Sequence, residues 1–240
     1  SSPHWNTGGL LLWTAGSFLK PGAMDVLAML RRAAMHTDES CVIESATGRE
    51  AWWQGNLLER GCGGAPVALA DADGDGRDDI TGLYPDIHFV LSGASGKSLS
   101  AAAFPKELGG GVYYAMPTIF DANGDGKPET LLGRCPYSLA LFSHDGKVLW
   151  HSHYLDGTLS APAVADLNGD GKLAIGAAAY RGGFRCYDAR TGAIRWSLPT
   201  AQSATDPVAA DIDGDGREEF IFGVGHELWA VGEAGNKPRV

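Results

Sequence analysis

Four segments of this chain spell out one acidic pattern. They are DADGDGRDD from Asp71, DANGDGKPE from Asp121, DLNGDGKLA from Asp166 and DIDGDGREE from Asp211, and they start 50, 45 and 45 residues apart. A period of this size commits the chain to repeated supersecondary units, each burying its apolar face on the next. Every loop follows a Pro and a short apolar run (PVALA, PTIF, PAVA, PVAA) and precedes a strand-like segment (DITGLY, TLLGR, AIGAAAY, FIFGVG). A second element recurs further on as ATGREAW, ASGKSLS, HDGKVLW, RTGAIRW and EAGNKPR. Its glycines are Gly48, Gly96, Gly146, Gly192 and Gly235, and Trp52, Trp150 and Trp196 each stand four residues after theirs.

The second element has five copies and the acidic loop four, so one repeat has lost its loop acids. That repeat is the first. The segment from Ser17 to Asp25 keeps Gly22 at position six and Asp25 at position nine, but lacks acids at one, three and five and carries Lys20. It reads as metal-free. Each unit has room for four short strands, which in the fourth repeat are PAVAD, AIGAAAY, FRCYDA and AIRWSL. Four-stranded units at this period indicate a β-propeller. A helical solenoid would show a stripe of 3.6 spacing, and only a turn around 26–32 resembles one. The expected fold is therefore all-β: one propeller domain over 1–240, with repeats at about 10–60, 61–111, 112–157, 158–202 and 203–240. The last repeat ends before its outer strand. Residues 1–9, with Trp5 in the place of the repeated Trp, are expected to supply that strand and close a five-bladed ring, which would remove exposed sheet edges. The rival arrangement is part of a larger propeller.

Composition agrees with this reading. The 34 glycines and 12 prolines suit a turn-rich β chain. No apolar run approaches the roughly 20 residues of a membrane-spanning helix. The net charge of −10 argues against nucleic acid as a partner. About half of the 29 Asp and Glu lie in the four loops, so the acidity of the protein is local.

The pattern D-x-[DN]-x-D-G places oxygen donors at positions one, three and five of a tight turn, with Gly at six for the backbone conformation that other residues resist. An EF-hand would add a Glu at position twelve, where this chain has Gly82, Leu132, Ala177 and Phe222. The acid comes at position nine instead, as Asp79, Glu129 and Glu219, with Ala174 in the third loop. Hard oxygen donors favour Ca²⁺ over softer metals. The plain alternative is an Asx-rich turn that binds nothing.

Loops of the form D-x-[DN]-G-D-G-x-x-[DE] between two strands resemble the FG-GAP/VCBS repeats of integrin-α-like propellers, and T-G-x-x-x-W is similar to the blade signature of quinoprotein-like propellers. The resemblance implies three or four calcium ions on one face of the blades. It implies as ligands Asp71, Asp73, Asp75 and Asp79; Asp121, Asn123, Asp125 and Glu129; Asp166, Asn168 and Asp170; and Asp211, Asp213, Asp215 and Glu219.

The opposite face then becomes the place for a ligand. The candidates there are Arg32, His36, Tyr113, Tyr114, Arg134, Tyr137, His153, Tyr154, Tyr180 and Arg181. Aromatic rings beside Arg and His suit sugars and acidic glycans; ordinary solvated loop decoration is the bland alternative. His151 and His153 share a face if they lie on a strand, but no third metal ligand is visible nearby. The repeated tryptophans are expected to pack blades together. Four cysteines show no C-x-x-C spacing. Cys62 and Cys135 fall on the same expected face and form the disulfide candidate, whereas Cys41 and Cys186 lie in non-adjacent repeats. Calcium loops and a disulfide suggest an oxidising, extracellular setting. The opening Ser-Ser-Pro-His, without a charged-then-apolar leader, fits a mature or trimmed secreted chain.

These features point to a non-catalytic, calcium-stabilised module at the cell surface or secreted. Its role would be to bind carbohydrate or protein in adhesion or assembly, with self-association or a second chain completing the structure. The alternative is a polysaccharide lyase acting on acidic glycans, because rhamnogalacturonan lyases are similar calcium-bearing propellers. Elimination from a uronic acid needs a carboxylate neutraliser and a base, for which Arg134 or Arg181 with His153 or Tyr114 are candidates. No motif selects one pair.

Overall fold

The computed structural model describes residues 8–32, 37–55, 67–84, 86–106, 116–134, 138–153, 161–179 and 183–235. Its strands form antiparallel sheets that follow the chain one after another, four of four strands and one of three among the described residues. This is an all-β, propeller-like arrangement. The chain divides into two compact units: Ser1–Ala103 with His144–Gly146, and Phe104–Ser143 with Lys147–Val240.

The first unit holds two sheets. The first comprises β1 (Gly8–Gly16), β2 (Asp25–Arg32), β3 (Thr37–Glu44) and β4 (Arg49–Gly55), and the second β5 (Val67–Ala70), β6 (Asp79–Tyr84), β7 (Ile87–Leu91) and β8 (Ser98–Ala103). Residues 26–32, the one stretch with a helical look, belong to β2. Pairing on both sides, with β1 and β3, overrides any local helical preference. Gly8 and Gly9 pair with Arg32 and Arg31 in this first sheet. The outer-strand role assigned to residues 1–9 otherwise falls on 1–7, outside the described residues. Phe18, Leu27, Val42, Val67, Ile80, Phe89 and Leu91 form the core, with Trp52 packed against it.

The second unit begins with β9 (Thr118–Phe120), β10 (Glu129–Arg134), β11 (Ser138–Phe142) and β12 (Val148–His153). Next come β13 (Ala163–Ala165), β14 (Ala174–Ala179), β15 (Gly183–Asp188) and β16 (Ile194–Leu198), then β17 (Val208–Ala210), β18 (Glu219–Val224) and β19 (Glu227–Val231). Pro117, Pro162 and Pro207 stand immediately before β9, β13 and β17, where a missing N–H costs the ladder nothing. β11 is buried along its whole length, which explains its unbroken SLALF run. Phe184 stacks on Phe222 with centroids 4.1 Å apart and tilts against Phe220 at 5.4 Å. All three rings are fully buried, each contributing about 1.5–3 kcal/mol. They fit because β14 carries Gly176, where a Cβ would stand 2.5 Å from the Phe184 ring and 2.7 Å from the Phe220 ring.

Every four-stranded sheet carries a bulge at the same place. The outer strand slips by one residue at Ala51, Leu99, Leu149 and Arg195, so that Trp52, Ser100, Trp150 and Trp196 face Val42, Val90, Leu141 and Cys186. The extra residue is left outside the pairing, and the next side chain is turned towards the neighbouring repeat. Trp52 donates its indole N–H to the Gly93 carbonyl at 2.6 Å, and Trp150 donates to Ala189 at 3.0 Å. The tryptophans thus pack repeat on repeat, as expected from the sequence.

Candidate cation-binding loops

In each acidic loop the first aspartate is wrapped by backbone. Asp71 accepts N–H bonds from Gly74 at 2.8 Å, Asp75 at 3.0 Å and Gly76 at 2.8 Å. Asp121 accepts from Gly124, Asp125 and Gly126 at 2.7, 3.2 and 2.8 Å. Asp211 accepts from Gly214, Asp215 and Gly216 at 2.7, 3.2 and 2.9 Å. In the third loop Asp166 accepts from Asn168, Asp170 and Gly171 at 3.3, 3.2 and 2.8 Å. The turn is possible because the fourth and sixth positions are glycines in the left-handed region, for example Gly74 at φ 82° and Gly76 at φ 81°. The Gly216 N–H leads the causes that hold the Asp211 carboxyl below its ordinary range.

The remaining acids lie beside the first aspartate. The fifth-position carboxylates Asp75, Asp125, Asp170 and Asp215 each accept the N–H two residues on, at 2.9–3.0 Å. Ligand atoms of Asp71, Asp73 and Asp79 lie within 4.8 Å of one another, as do those of Asp211, Asp213 and Asp215. Asn123 and Asn168 take the third position in the other two loops, supplying an amide oxygen rather than a charge. Such sets of hard oxygens fit a cation of the calcium type.

The ninth-position acid also has a structural task that the spacing did not reveal. Asp79 accepts N–H bonds from Ala72 at 3.0 Å and Gly93 at 3.0 Å, tying its loop to the turn before β8. Glu129 accepts from Ala122 at 2.8 Å, and Glu219 from Ile212 at 3.2 Å. In the first repeat, whose loop lacks acids at positions one, three and five, Asp25 does the same, holding Leu19 and Ser45 at 3.1 Å each. The third loop, with Ala174 at this position, satisfies the turn differently: Ala189 N–H donates to the Leu173 carbonyl at 3.1 Å. Burial is the main cause that raises the carboxyls of Asp79 and Glu129 above their usual range.

Position eight links neighbouring repeats. Ser17 N–H donates to Asp78 at 2.7 Å and Asp78 N–H returns a bond to the Ser17 carbonyl at 3.0 Å. Asp166 and Glu218 form the same reciprocal pair at 2.6 and 3.0 Å. The second and third loops have Pro128 and Leu173 there, without a carboxylate. The second unit also holds a groove of about 470 Å³ between the third and fourth loops, lined by Leu167, Asn168, Ile212, Asp213 and Glu219 among others. Two distant segments build it, so no single motif announces it.

Most of the expected ligand face, namely His36, Tyr113, Tyr114, Tyr137, Tyr154, Tyr180 and Arg181, lies outside the described residues, as do Cys62 and Cys135. Arg32, Arg134 and His153 are the last residues of β2, β10 and β12, and Arg134 and His153 both pair with Ser138 across their sheet. His151 is exposed on β12. Cys41 and Cys186 are buried, and burial pushes the Cys186 thiol up to about 12. Among the described residues no helix is long and apolar enough to cross a membrane.

Residues 166–222, which contain the third and fourth loops, match the FG-GAP-like repeat. No curated protein sequence matches the chain. Many solved structures share its fold, among them three at low identity. The crystal structure of the V. cholerae biofilm matrix protein Bap1 aligns over 99% of this chain and 40% of its own, with a TM-score of 0.71 at 16% identity. Saccharomyces cerevisiae Sqt1 aligns over 96% of this chain and 60% of its own, with a TM-score of 0.68 at 10% identity. BBS1N, from its complex with ARL6DN, aligns over 98% of this chain and 63% of its own, with a TM-score of 0.53 at 12% identity. The chain therefore spans less than two thirds of each of these proteins.

Proposed function

We infer that this chain is a calcium-stabilised, non-catalytic propeller module that acts outside the cell in adhesion or assembly. The observation that carries the reading is the fourth loop. Asp211, Asp213 and Asp215 converge within 4.8 Å while exposed, in the segment that matches the FG-GAP-like repeat. A cation there offsets repulsion between carboxylates that the fold has already gathered. Calcium is the choice because every donor is a hard oxygen and the loop geometry is adaptable. The fold shared with a biofilm matrix protein supports assembly outside the cell; the ligand of this reading is carbohydrate or protein. Five repeats make either a closed five-bladed ring or part of a larger propeller.

Calcium titration followed by melting tests this reading. Calcium in excess of its dissociation constant raises the melting temperature with the logarithm of that excess, native mass spectrometry counts three or four ions, and Asp213→Ala removes one. A melting curve indifferent to exhaustive chelation, with no ion bound, defeats the calcium assignment.

A further inference from the structure

The turn element recurs five times, and four of its copies are covered. Trp52 lies against Gly96, Ser100 against Gly146, Trp150 against Gly192 and Trp196 against Gly235. In every case the covering residue stands four positions after the preceding turn glycine. The first copy breaks the series. Among the described residues nothing lies within 4 Å of the place where Gly48 would carry a Cβ, and residues 45–49 are exposed.

The shape of this turn is nevertheless that of its covered relatives. Gly48 has φ 67°, against 69° at Gly96 and 70° at Gly192. Its N–H donates to the Glu44 carbonyl at 2.8 Å, as Gly96 does to Ser92 at 2.7 Å and Gly192 to Asp188 at 2.9 Å. In those two turns the carbonyl three residues before the glycine, that of Gly93 or Ala189, accepts an indole N–H. Ser45 holds that place here. An indole needs a flat face and one acceptor, and this turn has the form that supplies both.

We propose that the turn at 45–48 is a docking surface for a partner chain bearing an outer strand of the same repeat type, T-G-x-x-x-W. The partner's indole lies across Gly48 with its N–H on the Ser45 carbonyl. Continuity with the interface already repeated between neighbouring repeats carries the argument. Within this chain Trp52, Trp150 and Trp196 are engaged elsewhere, and the last element has Arg239 four residues after Gly235. The proposal supplies the partner chemistry of the assembly reading and rests on that half of it, independent of the cation.

The test uses the full chain and a fluorescein-labelled peptide copying residues 188–200 (DARTGAIRWSLPT), followed by anisotropy with calcium and with chelator. The Trp peptide binds saturably in both buffers, and its Trp→Ala counterpart binds at least tenfold more weakly. Gly48→Asn abolishes binding while leaving the melting temperature unchanged, since Asn tolerates the left-handed region and its Cβ meets open space. Equal binding of the two peptides, full binding to the Gly48→Asn chain, or no saturation at millimolar peptide overturns the proposal. So does loss of binding on chelation. Tighter peptide binding by the Trp5→Ala chain also overturns it, in favour of Trp5 as occupant. The assembly reading fails separately, when the whole protein forms no higher-order species although the peptide binds.

Discussion

Trp150 and Gly192 meet ring to backbone. A Cβ on Gly192 would stand 2.5 Å from the indole, whose N–H is already fixed on the Ala189 carbonyl at 3.0 Å. The glycine of one repeat is thus the seat for the tryptophan of the repeat before it. Gly192→Ala is expected to cost about 1–3 kcal/mol, through overpacking and strain at φ 70°. Urea denaturation of the variant checks this. Trp150→Phe, which keeps most of the ring but not the donor, is expected to lose about 1 kcal/mol.

Asp25 and Asp213 separate architecture from cation binding. Asp25 is 1% exposed and accepts two N–H bonds in a loop without acids at positions one, three and five. Asp25→Ala is expected to destabilise by about 1–3 kcal/mol with no loss of bound calcium. Asp213→Ala is expected to do the reverse, losing one ion while its stability in chelator stays within about 0.5 kcal/mol of the parent. Melting in chelator and ion counting on the same two variants read both effects.

His88 gives the fold a dependence on acidity. It is fully buried beside Thr81 Oγ1 at 3.0 Å, and burial lowers its pKa from 6.5 to about 4. The unfolded chain therefore binds the proton first as pH falls. The contribution of neutral His88 is complete above about pH 6.5 and drains away towards pH 4, by about 1.4 kcal/mol per unit. His88→Gln is expected to flatten the stability profile between pH 6.5 and 5, measured by urea denaturation at several pH values. An unchanged slope would show that other groups carry it.

Gly176 tests the aromatic core of the second unit. Gly176→Val puts methyl groups where the Phe184 and Phe220 rings already stand within 3 Å of a Cβ. A loss of at least about 2 kcal/mol is expected from overpacking. A stable variant with normal near-ultraviolet dichroism would mean that the rings can move aside.

Much of this organisation is legible in the residues. The four strands expected in the fourth repeat, PAVAD, AIGAAAY, FRCYDA and AIRWSL, correspond to β13, β14, β15 and β16, because short apolar runs between Gly and Pro signals leave the chain few choices. The outer-strand bulge is not legible. Leu149 is 47% exposed beside the buried Trp150, since one unpaired residue reverses the alternation and composition does not mark where. The ninth-position acids read as ligands, and those at position eight carry no reading, because their partners are backbone N–H groups, which a sequence does not display. The groove between the third and fourth loops escaped for a related reason: its walls are about 45 residues apart in the chain.

The two N–H bonds that Asp25 accepts, from Leu19 and Ser45, also bear on how such chains vary from repeat to repeat. The first repeat keeps this one carboxylate and its turn with Ser17, Leu19 and Pro21 in place of the acids at positions one, three and five. The third loop shows the complement, keeping Asp166, Asn168 and Asp170 with Ala174 at the ninth position, so the loop acids and the tie that holds the turn vary independently from one repeat to the next.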